Sequence, residues 1–193
     1  MSGARPLARC ALLALGVVGS SAAFAAHELD ENERDVPLVY KHVGIREAVP
    51  YKLLYAVALV ESGYRAPSNA EYRPWPWTLN FAGRAERFRT KAAALAALLA
   101  SLEREARPNV DIGLAQINYR FNGELLPSIG QSLDPMTNLV VATRVLKREL
   151  GRCARPDWWC AIGRYHSPGP SAAQRARAER YTERVRALWS QLQ

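Results

Sequence analysis

Three short stretches carry residue types at spacings suited to chemistry. The first is Glu61, which closes the apolar run YKLLYAVALVESGYR at residues 51–65. A helix over 50–62, with Pro50 preorganising its first turn and Gly63 ending it, sets Leu54, Val57, Ala58 and Glu61 at three- and four-residue steps on one face. That face is otherwise the buried one. A carboxyl group there is either a paired structural acid or a protonated one, since desolvation and the negative end of the helix dipole both disfavour its anion. Held protonated near neutral pH, it serves as a general acid. The second stretch is NVDIGLAQINYRFN at 109–122, where Asp111 and Asn118 bracket a run in which Gly113 allows tight backbone passage and Gln116 supplies an amide. Taken singly, Gln116 and Asn118 read as helix caps or backbone ligands; together with Glu61 they read as a site. The third is GRYHSP at 163–168, with Tyr165 and His166.

The elements that must position these residues are mostly helical. Apolar spacing and end signals predict helices over 37–48, 50–62, 90–106 (Thr90 as N-cap), 113–120, 135–150, 157–165 and 171–192. The last carries an apolar stripe of Ala178, Tyr181, Val185, Leu188, Trp189 and Leu192, expected to pack on the core, with arginines over the rest of its surface. One region departs from the helical pattern: EYRPWPWTLNFAGRAERFRT, residues 71–90, where Pro74 and Pro76 forbid a helix. Here WTLN and ERF suit short strands joined by an AGR turn, so a small β-hairpin or extended flap is expected around 72–90. Its aromatic residues, Trp77 among them, are of the kind that stacks on sugar rings, and equally of the kind that forms a satellite core.

Composition bounds the function. The chain has 193 residues and a formal net charge of +8. Arg5 and Arg9 precede the apolar run ALLALGVVGSSAAFA, which has the form of a secretory signal peptide over 1–25 with a small-x-small cleavage pattern at Ala23-Phe24-Ala25. The run is too short and poorly flanked for a stable membrane span. Residues 26–36 are polar and acidic, a loose leader into a single domain at 37–193. Export makes the chain periplasmic and favours a disulfide between Cys153 and Cys160, while Cys10 leaves with the leader. Two thiols without an HxxxH or second CxxC form no zinc set, and no metal or organic cofactor is called for. The basic balance suits an anionic partner, and export points to the peptide-bearing wall polymer rather than nucleic acid, for which no helix-turn-helix or zinc pattern is present.

The motifs ES at 61–62, GLAQIN at 113–118 and YHS at 165–167, in that order, resemble those of the soluble-type, lysozyme-like lytic transglycosylases. The resemblance covers about 37–190 and extends to LDPMTNLVVATRVL at 133–146. The strings RPWPWTLN, VDIGLAQIN and GRYHSP are similar to small members that accompany conjugation, pilus or secretion machines. The resemblance implies a mainly α, lysozyme-like α+β domain with a saccharide groove. It also implies cleavage of the β-1,4 bond between N-acetylmuramic acid and N-acetylglucosamine, with formation of a 1,6-anhydro sugar. By the same carry-over Glu61 is the acid/base, Ser62 bonds within the site, Gln116 contacts substrate or the acid, and Tyr165 stands near the glutamate; Asn118, Asp111 and Trp77 join them as expected substrate contacts. Ala115 replaces the family's usual methionine and His166 its usual asparagine. Asp111 opens an alternative, because D-x-G-x-x-Q-I-N also resembles animal-type lysozymes, whose retaining hydrolysis uses a second carboxylate about 5 Å from the first. A further alternative is a non-catalytic wall-binding assembly component, which would have no need of Glu61.

Overall fold

The computed structural model describes residue 1, residues 36–65 and residues 71–193. The expected signal peptide, apart from Met1, and leader residues 26–35 lie outside the described residues; Val36, the last of the expected leader, is buried in the core. Helices α1 (Leu38–Glu47), α2 (Tyr51–Ser62), α6 (Pro135–Leu150), α7 (Trp158–His166) and α8 (Ala172–Trp189) pack each on the next in the cyclic order α2, α1, α6, α7, α8 and back to α2. Leu54, Ala56, Val57 and Ala58 of α2 have no exposed surface, so this helix faces the core along most of its length. Its apolar run is thus explained by burial on more than one face, and only Val60 and Glu61 near its end regain partial exposure.

Local signals fix the helix starts. Thr90 accepts from Ala93 N at the start of α3 (Lys91–Arg104), and Asp134 accepts from Thr137 N ahead of Pro135. Ser171 and Gln174 close a reciprocal capping box on α8. Cys153, just beyond α6, is bonded to Cys160 within α7, closing a short loop between two packed helices. Among the described residues no helix is long and apolar enough to cross a membrane, and no group of three or more His, Cys, Asp or Glu is gathered as a metal set would be.

The expected hairpin is present as β3 (Thr78–Phe81) and β4 (Arg84–Arg87), turning through Ala82 and Gly83 at φ +50° and +101°. Asn80 Oδ1 accepts from Gly83 N at 2.8 Å and braces that turn. Ahead of it β1 (Gly63–Arg65) and β2 (Tyr72–Pro74) form a separate antiparallel pair that the sequence pattern did not predict.

The helix predicted over 113–120 is replaced by strand, turn and strand. Residues 110–112 form β5, residues 117–118 form β6, and helix returns only as the single turn α4 (Tyr119–Asn122), followed by the similarly short α5 (Ile129–Ser132). Gly113 and Gln116 take φ of +80° and +47°, conformations no right-handed helix contains. The strands join the hairpin in the antiparallel order β4-β3-β5-β6. Because side chains alternate across a strand, the register sorts the sheet into two faces. Leu79, Ile112 and Ile117 align across it and are fully buried against the core. Ala85, Asn80, Asp111 and Asn118 align in the neighbouring row, on the opposite face.

Candidate active site

That second row forms one wall of a cavity of about 520 Å³, closed on the other side by the end of α2 and by residues of α6 and α7. Glu61, Asp111, Gln116, Asn118, Tyr165 and His166 all line it. Residues 120 positions apart meet at the acid: the buried hydroxyl of Tyr181, from α8, donates to Glu61 Oε1 at 2.6 Å. Glu61 Oε2 has no protein hydrogen bond among the described residues. Burial pushes the Glu61 pKa up from its ordinary 4.5 to about 7. The Tyr181 hydroxyl opposes that rise by stabilising the anion; the Asp111 charge adds to it, and Arg184 weakly opposes it. The carboxyl group is therefore poised to hold and release a proton near neutrality.

Tyr181 is itself fixed by His166, whose ring stacks on it at 4.4 Å with a 1° interplanar angle. The His166 pKa is lowered by burial and then by Arg184 and Arg177, which favours the neutral imidazole in this stack. Burial, and then the Glu61 charge, hold the Tyr181 hydroxyl well above its usual pKa, so it remains a donor.

Several motif residues hold backbone. Ser62 is fully buried, and its hydroxyl bonds Leu114 O at 2.7 Å and Ala58 O at 3.2 Å. It ties the turn at 113–116 to α2, one residue from the acid. Tyr165 donates to Ala115 O at 2.6 Å, and Asn138 donates to Ile112 O at 2.9 Å while accepting from Ala115 N at 2.9 Å. The Gln116 amide donates to Thr78 O at 3.2 Å and Gly113 O at 2.9 Å, leaving its Oε1 without a protein donor among the described residues. These clamps stabilise Gln116 in its left-handed backbone conformation, which costs a non-glycine residue about 1 kcal/mol.

Asp111 is raised above the usual carboxylate range by burial, partly countered by Asn118, whose amide donates to its Oδ1 at 2.7 Å. Asn118 also donates to Asn109 Oδ1 and caps α4 by accepting from Phe121 N. Trp77, expected at the sugar groove, lies outside the cavity lining. It is half-buried, packed edge-on against Trp75 at 5.9 Å and against the core. A different ring lines the cavity: Phe121, 70 % exposed.

Sequence reasoning passed over Tyr181, Asn80 and Phe121. A tyrosine amid the apolar stripe of α8 was a signal that a buried hydroxyl needed a partner, but nothing local named Glu61. Asn80 became recognisable only through its register opposite Asp111. The family model described as Transglycosylase SLT domain matches residues 40–188. No curated protein and no solved structure matches the chain.

Proposed function

This chain belongs to the transglycosylase SLT domain family, whose members are peptidoglycan lytic transglycosylases, and on that premise we propose that Glu61 is its single catalytic acid/base. The substrate is peptidoglycan, which sets the enzyme's action outside the cytoplasm. The bond cleaved is the β-1,4 linkage from N-acetylmuramic acid to N-acetylglucosamine. Protonated Glu61 gives its proton to the glycosidic oxygen as the bond to the muramyl anomeric carbon breaks. The substrate's own acetamido oxygen bonds to that carbon and supports its positive charge. Glu61, now a carboxylate, removes the proton of the muramyl 6-hydroxyl; the 6-oxygen takes the anomeric carbon, the acetamido oxygen leaves, and a 1,6-anhydro ring closes without added water. The proton taken from the 6-hydroxyl replaces the one that left on the departing sugar's hydroxyl, so the cycle closes on one carboxyl group.

The observation that carries this reading is the cleft-lining Glu61, with a pKa near 7 and one oxygen held by the Tyr181 hydroxyl. The hydroxyl favours the anion formed at the first step, while burial keeps the resting group protonated. Gln116 Oε1 offers the acetamido N–H an acceptor, and Asn80, Asp111 and Asn118 present polar groups along the sheet wall. Phe121 supplies the exposed ring on which a sugar stacks, the role first expected of Trp77. Asp111 lines the same cleft and its charge reaches Glu61, which keeps retaining hydrolysis as the second reading.

The discriminating experiment digests purified sacculi and identifies the released ends by mass spectrometry. Anhydro-muramyl ends are expected, and Glu61→Gln is expected to lower their release at least about 100-fold. Reducing ends would transfer the assignment to the hydrolase pair Glu61 and Asp111. The expected signal peptide, the disulfide and the similarity to machine-associated members support a periplasmic enzyme that opens the wall locally for a trans-envelope apparatus. Recovery of the chain in a periplasmic fraction, after loss of residues 1–25, is the corresponding observation.

A further inference from the structure

The cavity that holds Glu61 is also lined by Arg148, Glu149 and Arg164, residues for which acid/base chemistry has no use. Glu149 is only 2 % exposed, and a carboxylate so deeply placed requires a cation. It has three. Its Oε1 accepts from Arg152 at 2.7 Å and Arg148 at 3.3 Å, and its Oε2 from Arg164 Nε at 3.2 Å. One guanidinium suffices for neutrality, so the cluster retains a surplus of positive charge, set beside the C-terminal turn of α6.

The hydrogen bonding shows where that surplus is available. Arg164 engages Glu149 through Nε alone, leaving both terminal nitrogens, the fork that fits a carboxylate, without a protein acceptor among the described residues. Arg148 is steadied by a second bond, Nη2 to Asn122 Oδ1 at 2.7 Å. Arg152 lies outside the cavity lining. Glu149 thus anchors two cavity-facing arginines in fixed positions, so binding an anion requires little further ordering.

We propose that Arg148 and Arg164 form a carboxylate-binding subsite for the acidic peptide stem carried by the muramyl residue of the substrate. The inference rests on the peptidoglycan reading of the cleft and extends it: the enzyme recognises the peptide as well as the glycan. Free carboxylates occur along the stem, and a stem-free strand offers a different one, on the muramyl lactyl group.

The test compares three soluble glycan strands: stem-bearing, stem-bearing with the stem carboxylates converted to amides, and stem-free with the lactyl carboxylate exposed. The wild-type kcat/KM for native stems is expected to exceed that for amidated stems about tenfold, one charge-assisted contact's worth. In Arg148→Gln this ratio is expected to fall toward one. That variant leaves Glu149 paired with Arg152 and Arg164, and an unchanged melting temperature verifies the fold. Arg164→Gln is expected to do the same more strongly. Equal wild-type rates on native and amidated stems would overturn the subsite, as would a ratio unchanged in both variants. If stem-free strands matched native stems and lost as much in the variants, the ligand would be the lactyl carboxylate and the stem assignment would fall. Binding of the same strands to Glu61→Gln requires no turnover. Should wild type release no anhydro ends from any strand, the catalytic reading fails, while the binding preference still decides the subsite.

Discussion

Replacing Tyr181 by phenylalanine tests the acid directly, because it deletes one oxygen and retains the ring that stacks on His166. The hydroxyl is buried and donates to Glu61 Oε1 at 2.6 Å, a short bond to a group that alternates between acid and anion. A hydrogen bond to a charged partner is worth about 1.5–3 kcal/mol, and each pH unit in a pKa about 1.4 kcal/mol. Since the bond favours the carboxylate, its loss raises the Glu61 pKa further above about 7, by roughly 1 to 2 pH units. On the proposed mechanism protonated Glu61 starts the reaction, so activity is expected to decline as pH rises through its pKa. In the variant that alkaline limb moves to higher pH, while the plateau rate falls roughly tenfold or more because the forming anion has lost its donor. The assay is kcat against pH on soluble glycan strands with anhydro ends as the readout, and circular dichroism controls for folding. A limb that stays in place, or moves toward acid, would refute the assignment of Tyr181 as the hydroxyl that sets the acid's proton affinity.

Glu61→Gln should also report on stability. The folded-state pKa of about 7 lies above the ordinary 4.5, so the protonated side chain's advantage is fully present below pH 4.5 and is lost as pH rises through about 7. Above pH 8 the variant is expected to be more stable than wild type by up to about 3 kcal/mol, and near pH 4 by little. Urea midpoints at the two pH values measure this, and an equal difference at both would contradict it. Gly113→Ala tests the turn that carries Gln116. At φ +80° an added Cβ would sit 2.5 Å from Asn138 Nδ2, disturbing the buried amide that holds Ile112 and Ala115. Left-handed strain and one displaced buried hydrogen bond together predict a loss of roughly 2–4 kcal/mol, read by urea denaturation, and a loss below about 1 kcal/mol would show that the turn relaxes.

The long helices were legible because their signals are local: Thr90, Asp134 and Ser171 each cap the helix they precede, and α6 has its proline at the first turn. The segment 110–118 was not. Its strands are three and two residues long, too short for period-two alternation to register, and Leu114, Ile117 and Phe121 stand at i, i+3 and i+7, a helical spacing. What decided between them was a non-local partner, β3, which accepts Ile112 opposite Leu79 and Asp111 opposite Asn80. The contacts that define the site are similarly distant in sequence. Nothing within a helix's length of Tyr181 indicates Glu61, and nothing near Glu149 indicates Arg164. Trp77 was expected at the groove on residue type, but its ring, on the turn after Pro76, packs edge-on against Trp75, whereas the ring that lines the cavity, Phe121, stands on a turn capped by Asn118.

The site's polar residues divide by what their hydrogen bonds already hold. Ser62, Tyr165 and Asn138 satisfy backbone groups at Leu114, Ala115 and Ile112, so no side chain in this trio has to change partners when a glycan enters. Glu61 and Gln116 differ: each has one side-chain oxygen engaged or its amide tied down, and the other oxygen without a protein donor among the described residues. On the proposed function the motif ES is two roles in adjacent residues, with Ser62 fixing the turn against the helix end and Glu61 carrying the proton. Such a division explains how one carboxyl group can act twice in a cycle: the frame that sets its distance to substrate is built from bonds the reaction never breaks. On this reasoning a change at Ser62 or Tyr165 acts through the placement of Gln116 and Glu61, whereas a change at Tyr181 acts on the proton itself.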